Sequence, residues 1–82
     1  MQELIKDARR KVVGTKQTVK ALENNEAMTV FIAKDAEDKV TQPIVELCKA
    51  NEIELHYFDT MVELGKACGI KVKAASAAII EQ

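Results

Sequence analysis

Residues 64–80 read LGKACGIKVKAASAAII, and this stretch decides the fold. It starts within a predicted helix that opens at the capping box of Thr60 and Glu63. Gly69 ends that helix, because glycine readily takes the left-handed conformation found after many helices. Residues 76–80 then form a predicted strand whose small alanines let helices pack closely on both of its faces. The stretch therefore predicts a central strand covered by helices on two sides.

The rest of the chain alternates helices and strands of the same kind. We predict a helix over 3–10, a short strand at 12–13, a helix from an N-cap at Thr15 to about Glu23 with Asn24 and Asn25 ending it, a strand over Thr29–Ala33, a helix opening at 41–43 and closing at Asn51, and a strand over 55–58. This alternation is typical of an α/β fold in which helices lie on both sides of a small parallel or mixed sheet.

The composition indicates one soluble domain. The chain has 82 residues, of which 48% are hydrophobic and 30% are charged, so a compact core is expected and disorder is not. No stretch approaches the roughly 20 apolar residues that span a bilayer, and the first 20 residues are too charged for a secretory signal. Cys48 and Cys68 lack metal or redox spacing, and we expect both to be reduced core residues of a cytoplasmic protein.

Charge is distributed unevenly along the chain. The net charge is −1, but residues 1–20 carry six Lys and Arg against two acids, and residues 64–82 carry three Lys against one acid. The middle segment, 21–63, carries ten acids against three Lys. If the two ends of the chain meet in space, one face is basic and attracts anions; otherwise the pattern is ordinary solvated charge.

A first candidate site follows Gly14. An N-cap at Thr15 would leave the next amides free at the positive end of a helix dipole, which attracts phosphate. Lys16 and Lys20 lie one turn apart with Gln17 between them, so two point charges for phosphate flank an amide that suits a base edge. The alternative is a capped surface helix with solvated side chains.

A second candidate site follows the predicted helix that carries Lys66. The loop 70–73 alternates apolar and basic residues, which suits unstacked bases resting on Ile70 and Val72 while lysines hold phosphates. The alternative is that Ile70 and Val72 pin the loop to the core. We expect the glycine turns at 14 and 69 to lie side by side and to form one anion-binding surface.

Catalytic patterns do not stand out in the sequence. No Ser/His/Asp, Cys/His or paired-carboxylate arrangement and no phosphate-binding Walker motif is apparent, so we expect no enzyme, no cofactor and no metal. His56 is assigned a packing or surface role, and Tyr57 and Phe58 are assigned to the core. The acids within 35–38 are interpreted as a negatively charged turn before a helix.

Both candidate sites resemble motifs of the kink-turn-binding ribosomal proteins of the L7Ae family, most closely its short bacterial members. The family motif Gly-x-Asn-Glu-x-x-Lys corresponds here to Gly14, Lys16, Gln17 and Lys20, of which the glycine and the last lysine are identical to the motif. The family run Leu-Gly-x-Ala-x-Gly-Ile-x-Val-x-Ala-Ala-Ser is met over 64–76 at every fixed position. The segment Ile32-Ala33-x-Asp35 is also similar to the strand end before the family's acidic turn, and the similarity covers nearly the whole chain.

The resemblance implies a three-layer α/β/α sandwich with a small four-stranded mixed sheet, forming a single domain over 1–82. It implies a non-enzymatic, monomeric protein that stabilises kink-turn RNA, in which a bulge precedes tandem sheared G·A pairs. The RNA could be ribosomal RNA, a riboswitch or another transcript, and neither DNA nor a membrane is an expected partner. Two alternatives stay open: a protein-interaction module using the acidic 21–63 surface, and a small nucleotide-binding domain using the Gly14 turn.

The resemblance also implies a set of RNA-binding residues. In this picture Gly14 lets the backbone approach the RNA, Lys16, Gln17 and Lys20 face the G·A pairs, and the loop 70–74 covers the extruded nucleotides. The archaeal and eukaryotic pattern has Asn-Glu where this chain has Lys16-Gln17, and a glutamine accepts with one oxygen where a carboxylate offers two. The full set is Gly14, Thr15, Lys16, Gln17, Lys20, Lys34, Asp35, Lys66, Ile70, Lys71, Val72, Lys73 and Ala74.

Overall fold

The computed structural model describes residues 2–81, and its helices and strands alternate in the predicted order. The elements are α1 (Gln2–Lys6), β1 (Arg10–Val13), α2 (Thr15–Glu23), β2 (Thr29–Ala33), α3 (Asp38–Asn51), β3 (Glu54–Phe58), α4 (Met61–Ala67) and β4 (Ser76–Glu81). Among the described helices, none is both long and apolar enough to cross a membrane.

The four strands form one mixed sheet in the order β1-β4-β2-β3. β4 runs antiparallel to both of its neighbours, with Ala77 opposite Val13 of β1 and opposite Phe31 of β2. β2 and β3 are parallel, and Ala33 lies opposite Phe58. The alanine-rich strand is therefore central, as the sequence predicts.

Helices cover both faces of the sheet. Along β2 the side chains alternate, so that Phe31 belongs to one apolar cluster and Ile32 to the other. The first cluster includes Ile5 of α1 and Leu64 of α4, and the second includes Ala21 of α2 together with residues of α3. The fold is thus the three-layer α/β/α sandwich that the resemblance implies.

The two cysteines are buried on opposite sides of this sheet. Cys48 packs in the cluster beneath α2 and α3, whereas Cys68 packs in the cluster beneath α1 and α4, and both are free thiols. Burial raises the pKa of Cys48 to about 11. Burial also raises the pKa of Cys68, and the positive charge of Lys11 partly opposes that shift. Both cysteines therefore behave as small core residues, as expected.

Several helix ends follow the local sequence signals. The Thr60 hydroxyl accepts a hydrogen bond from the N–H of Glu63 at 3.0 Å, which caps α4. Gly69 takes a left-handed φ of 78° beyond the end of α4, and Asn25 takes a left-handed φ of 58° beyond α2. In α3, Asn51 is the last helical residue, and Glu52 takes the left-handed position.

Other predicted boundaries are wrong. The first helix ends at Lys6, because residues from Arg10 onward pair with β4. α3 begins at Asp38 and not at 41–43, which makes Pro43 its sixth residue. α2 begins at Thr15 itself, and its N-cap is Gly14, which makes no side-chain capping bond.

The core assignment fails for one aromatic residue. Phe58 is 3% exposed and belongs to the core, but Tyr57 is 46% exposed. β3 is an edge strand, and its burial pattern leaves Glu54 and Tyr57 facing solvent. His56 is half-buried, stacks on Phe31 and contacts the carboxylate of Glu54, in agreement with a packing role.

Candidate nucleic-acid interface

One end of the sheet gathers most of the candidate residues. Because β4 is antiparallel to its neighbours and β2 is parallel to β3, the last residues of β1, β2 and β3 lie at the same end of the sheet as the first residue of β4. We call this region the loop end; it comprises the turns after β1, β2 and β3 and the loop 70–75 that leads into β4. The carboxyl ends of strands are also where open α/β sheets bind ligands.

The Gly14 turn is fastened to the start of β4. The N–H of Gly14 donates to the carbonyl oxygen of Ser76 at 2.8 Å. The carbonyl oxygen of Gly14 accepts from the N–H of Thr18 at 2.9 Å and from the Thr18 hydroxyl at 2.8 Å. The Ser76 hydroxyl donates to the Thr18 hydroxyl at 3.4 Å, and both side chains are fully buried. These bonds connect the first candidate segment to the last residue of the second.

Sequence reasoning missed the role of Thr18 and Ser76. Thr18 lies on the buried side of α2 together with Ala21 and Leu22. The sequence signal that could have revealed this role is a threonine on the apolar side of a predicted helix. A buried hydroxyl requires a hydrogen-bond partner, so such a threonine indicates a polar contact in the core.

Gly14 has a backbone conformation that favours glycine. Its φ of 108° and ψ of 155° lie in a region that other residues rarely enter. A Cβ at this position would meet no atom within 4 Å. Glycine is therefore needed for the turn conformation and not for room inside the protein.

The exposed face of α2 carries the predicted polar residues. Lys16, Gln17 and Lys20 are exposed, and Thr15 is half-buried. The first intrahelical acceptor is the carbonyl of Gly14, which takes the N–H of Thr18, so the earlier amides of the helix have no acceptor within it. The start of α2 thus combines amide donors, a positive helix end and two ammonium groups.

The turn after β2 holds the start of α4. Asp35 accepts a hydrogen bond from the N–H of Met61 at 2.8 Å, and the N–H of Lys34 donates to the carbonyl oxygen of Phe58 at 2.8 Å. The ammonium group of Lys34 lies 3.5 Å from a carboxylate oxygen of Asp59 at an exposed position. Asp35 therefore has a structural contact in addition to its predicted role in RNA binding.

The second candidate segment reverses direction at the end of α4. The N–H of Gly69 donates to the carbonyl oxygen of Lys66 at 3.0 Å, and the N–H of Ile70 donates to that of Gly65 at 3.1 Å. This pair of bonds is the Schellman arrangement that ends many helices. The chain then runs back along α4, and the N–H of Ala74 donates to the carbonyl oxygen of Met61 at 3.0 Å.

Of the two apolar residues in the loop, Ile70 agrees with the interpretation that pins the loop to the core, and Val72 stays a predicted contact for a base. Ile70 is half-buried and packs on the core, so it pins the loop. Val72 is 69% exposed, between the exposed side chains of Lys71 and Lys73. Ala74 is 5% exposed and returns the chain to the core. The loop therefore presents one apolar side chain between two cations, a combination that suits a base and its flanking phosphates.

The two segments meet at Ser76 and not at the glycine turns themselves. Gly14 is bonded to Ser76, whereas Gly69 follows the far end of α4, about 10 Å of helix from Met61. Lys66 is exposed in the last turn of α4 and belongs to this far side. The surface is thus an extended band from α2 across the loop end to the side of α4.

The chain is thus an α/β/α sandwich protein in which two lysine-bearing segments are hydrogen-bonded to each other at one end of the sheet. The chain matches the model of the Ribosomal protein L7Ae/L30e/S12e/Gadd45 family over residues 1–82 and belongs to that family. The resemblance drawn from the sequence motifs is therefore confirmed.

Several curated bacterial proteins are similar over most of their length. RNA-binding protein TTE2299 of Caldanaerobacter subterraneus subsp. tengcongensis is 52% identical over 69 residues, which are 84% of each chain. RNA-binding protein BH0128 of Halalkalibacterium halodurans is 47% identical over 77 residues, which are 94% of each chain. RNA-binding protein YbxF of Geobacillus stearothermophilus is 37% identical over 78 residues, which are 95% of each chain.

A solved structure supports the fold. The Giardia lamblia 15.5kD RNA binding protein superposes with a TM-score of 0.87 and 22% identity, over 99% of this chain and 71% of that one. At this level of identity the match concerns the architecture alone.

Proposed function

We propose that this protein binds RNA at the loop end and stabilises the kink-turn conformation without catalysing a reaction. The observation that carries the proposal is the bond from the N–H of Gly14 to the carbonyl oxygen of Ser76. It joins the start of α2 to the residue that follows the loop 70–75, which supports a single bent RNA contacting both segments. The names of the bacterial relatives, which describe RNA-binding proteins, support an RNA ligand.

The chemistry of the surface suits the parts of a kink-turn. Lys16 and Lys20 supply charges for phosphates beside the free amides of α2, and Gln17 offers an amide that both donates and accepts at a base edge. Val72 offers an exposed apolar contact for an unstacked base. Backbone contact, base-edge contact and base stacking are thus all provided within one band.

The mechanism is a shift of the RNA population. A sharply kinked duplex brings phosphates together, which costs electrostatic free energy relative to the extended form. A protein that binds only the kinked form lowers its free energy, and the shift equals the difference between its affinities for the two forms. The lysines around the Gly14 turn offset the repulsion where it arises.

The first test removes one charge from α2. We expect Lys20→Ala to weaken binding of a kink-turn duplex several-fold and to reduce the slope of log affinity against log salt by about 1, because roughly one phosphate contact is lost. The melting temperature of the protein should barely change, since an exposed surface charge contributes little to folding stability. Electrophoretic titration over a salt series, beside thermal unfolding, measures both.

The matched control is Lys49→Ala. Lys49 is also exposed, but it lies in the last turn of α3, which begins after β2 and runs away from the loop end. We expect this variant to keep both the affinity and the salt slope. Equal losses in the two variants, or unchanged affinity in Lys20→Ala, would count against the assigned surface.

The same titration addresses the two competing functions. A protein-interaction module acting through the acidic 21–63 surface would show no salt-sensitive preference for kink-turn RNA over a simple duplex. A nucleotide-binding domain would release its RNA when free nucleotide is added.

A further inference from the structure

Gly65 is an unexpected residue for its position. It lies inside α4 and is buried, and its φ is not positive, so the helix itself does not require glycine there. Glycine within a helix destabilises it relative to alanine. Another feature must therefore explain why no side chain is present.

The loop that returns along α4 is that feature. A Cβ on Gly65 would lie 2.2 Å from the carbonyl oxygen of Val72 and 3.2 Å from the Cα of Lys73. Both neighbours are backbone atoms, and non-bonded heavy atoms normally stay about 3.5–4.0 Å apart. Even one methyl group at position 65 would force the loop away from the helix.

The loop is held at both ends and is least constrained in its middle. Its two ends are hydrogen-bonded to α4, through Ile70 to the carbonyl of Gly65 and through Ala74 to the carbonyl of Met61. The residues between these bonds, 71–73, are all exposed. A methyl group at Gly65 would therefore displace the part of the loop that carries Lys71, Val72 and Lys73.

We propose that Gly65 is a positioning residue for RNA binding. Because Gly65 has no side chain, the backbone of the loop packs directly against α4. This contact fixes how far the side chains of residues 71–73 project from the protein surface. Gly65 makes no RNA contact itself and acts through those three side chains. This inference rests on the proposed function, because it assigns a role within the same surface.

The test is Gly65→Ala in the full chain. We expect kink-turn affinity to fall by about tenfold or more and the salt slope to decrease by ~1.5, since two lysines would lose their phosphates at about 0.7–0.9 each. The Lys71→Ala/Lys73→Ala variant should show the same shallow slope. A purely structural change that left the loop in place would not alter the slope.

A second comparison asks whether the loop carries the effect. In the Lys71→Ala/Val72→Ala/Lys73→Ala background, Gly65→Ala should change affinity by less than about twofold, because the side chains it positions are already absent. An equal loss in both backgrounds would overturn the proposal. So would unchanged affinity and slope in the single variant.

Failure of this inference can be told apart from failure of the proposed function. If the unaltered protein does not prefer kink-turn RNA to a simple duplex, the proposed function is wrong. If it does and Gly65→Ala binds equally well, only the role of Gly65 is wrong.

A folding defect is covered by a second measurement. Thermal unfolding of Gly65→Ala shows whether it is folded at the assay temperature. If it is not, the titrations of Gly65→Ala and of the unaltered protein are repeated at a lower temperature at which both are folded. The same loss of affinity and slope is expected, and unchanged values would overturn the proposal.

Discussion

At the scale of single residues, two buried hydroxyl groups hold the proposed RNA surface together. Thr18 donates to the carbonyl of Gly14 and accepts from Ser76, while the backbone of Ser76 accepts from Gly14. These hydrogen bonds form a closed ring that joins two segments separated by more than 50 positions in sequence. The residues around Gly14 predict a turn there, but the sequence does not reveal which distant residue forms hydrogen bonds with that turn.

This ring of hydrogen bonds leads to a prediction about paired substitutions. Thr18→Val keeps the side-chain shape but leaves the Ser76 hydroxyl buried without its partner, so we expect a loss of about 1–3 kcal/mol in the free energy of unfolding. The double variant Thr18→Val/Ser76→Ala removes both hydroxyls and should be more stable than Thr18→Val alone. Chemical denaturation measures the difference. A double variant less stable than the single one would show that the hydroxyl pair is not the source of the loss.

At the scale of helices and strands, local chemistry predicts the ends that are set locally. The Thr60 cap, the left-handed Gly69 and the apolar strand Thr29–Ala33 all follow from signals within a few residues, and all are confirmed. The wrong boundaries depend on distant partners. α1 stops early because Arg10 pairs with β4, and Tyr57 is exposed because β3 is at an edge, which no local pattern encodes.

The early start of α3 leads to a second prediction. Pro43 is the sixth residue of this helix and is exposed, so the carbonyl of Lys39 lacks the N–H that another residue would donate. We expect Pro43→Ala to raise the free energy of unfolding by about 1–2 kcal/mol, which is the helix-interior penalty of proline less the entropy that the unfolded chain regains. Denaturant unfolding tests this.

The neighbouring Gln42 supplies the control for Pro43. It is exposed on the same helix, and its side chain donates to Glu46. Gln42→Ala should change stability by no more than about 0.5 kcal/mol. A destabilised Pro43→Ala variant would mean that the ring has packing contacts that outweigh the missing hydrogen bond.

At the scale of the whole molecule, the two basic ends of the chain meet, which is the condition under which the charge pattern gives a basic face. β1 pairs with β4, and α1 packs beside α4, so residues of the first and last segments share one side of the fold. The layered architecture is predictable from the alternation of elements. The strand order is not, because all four strands are short and apolar enough to pair in several ways.

The burial of the Cys48 thiol in the fold gives a prediction for stability at alkaline pH. The pKa of Cys48 is raised to about 11 in the fold from 9.0, so the unfolded chain releases this proton first as pH rises. Its contribution to stability is full below about pH 9 and is lost as pH approaches 11. Unfolding free energies measured from pH 8 to 10.5 should fall more steeply for the unaltered protein than for Cys48→Ala. Parallel curves would contradict the assignment.

The position of β4 between β1 and β2 also bears on how the protein is made. Until β4 has been synthesised, β1 has no partner strand, and the Gly14 turn lacks the carbonyl of Ser76 that fixes it. A ribosome needs about 3–12 s to add the residues between Val13 and Ser76 at 5–20 residues per second. During that interval a nascent chain has neither a complete sheet nor a formed ligand surface. Both form together when β4 inserts between β1 and β2.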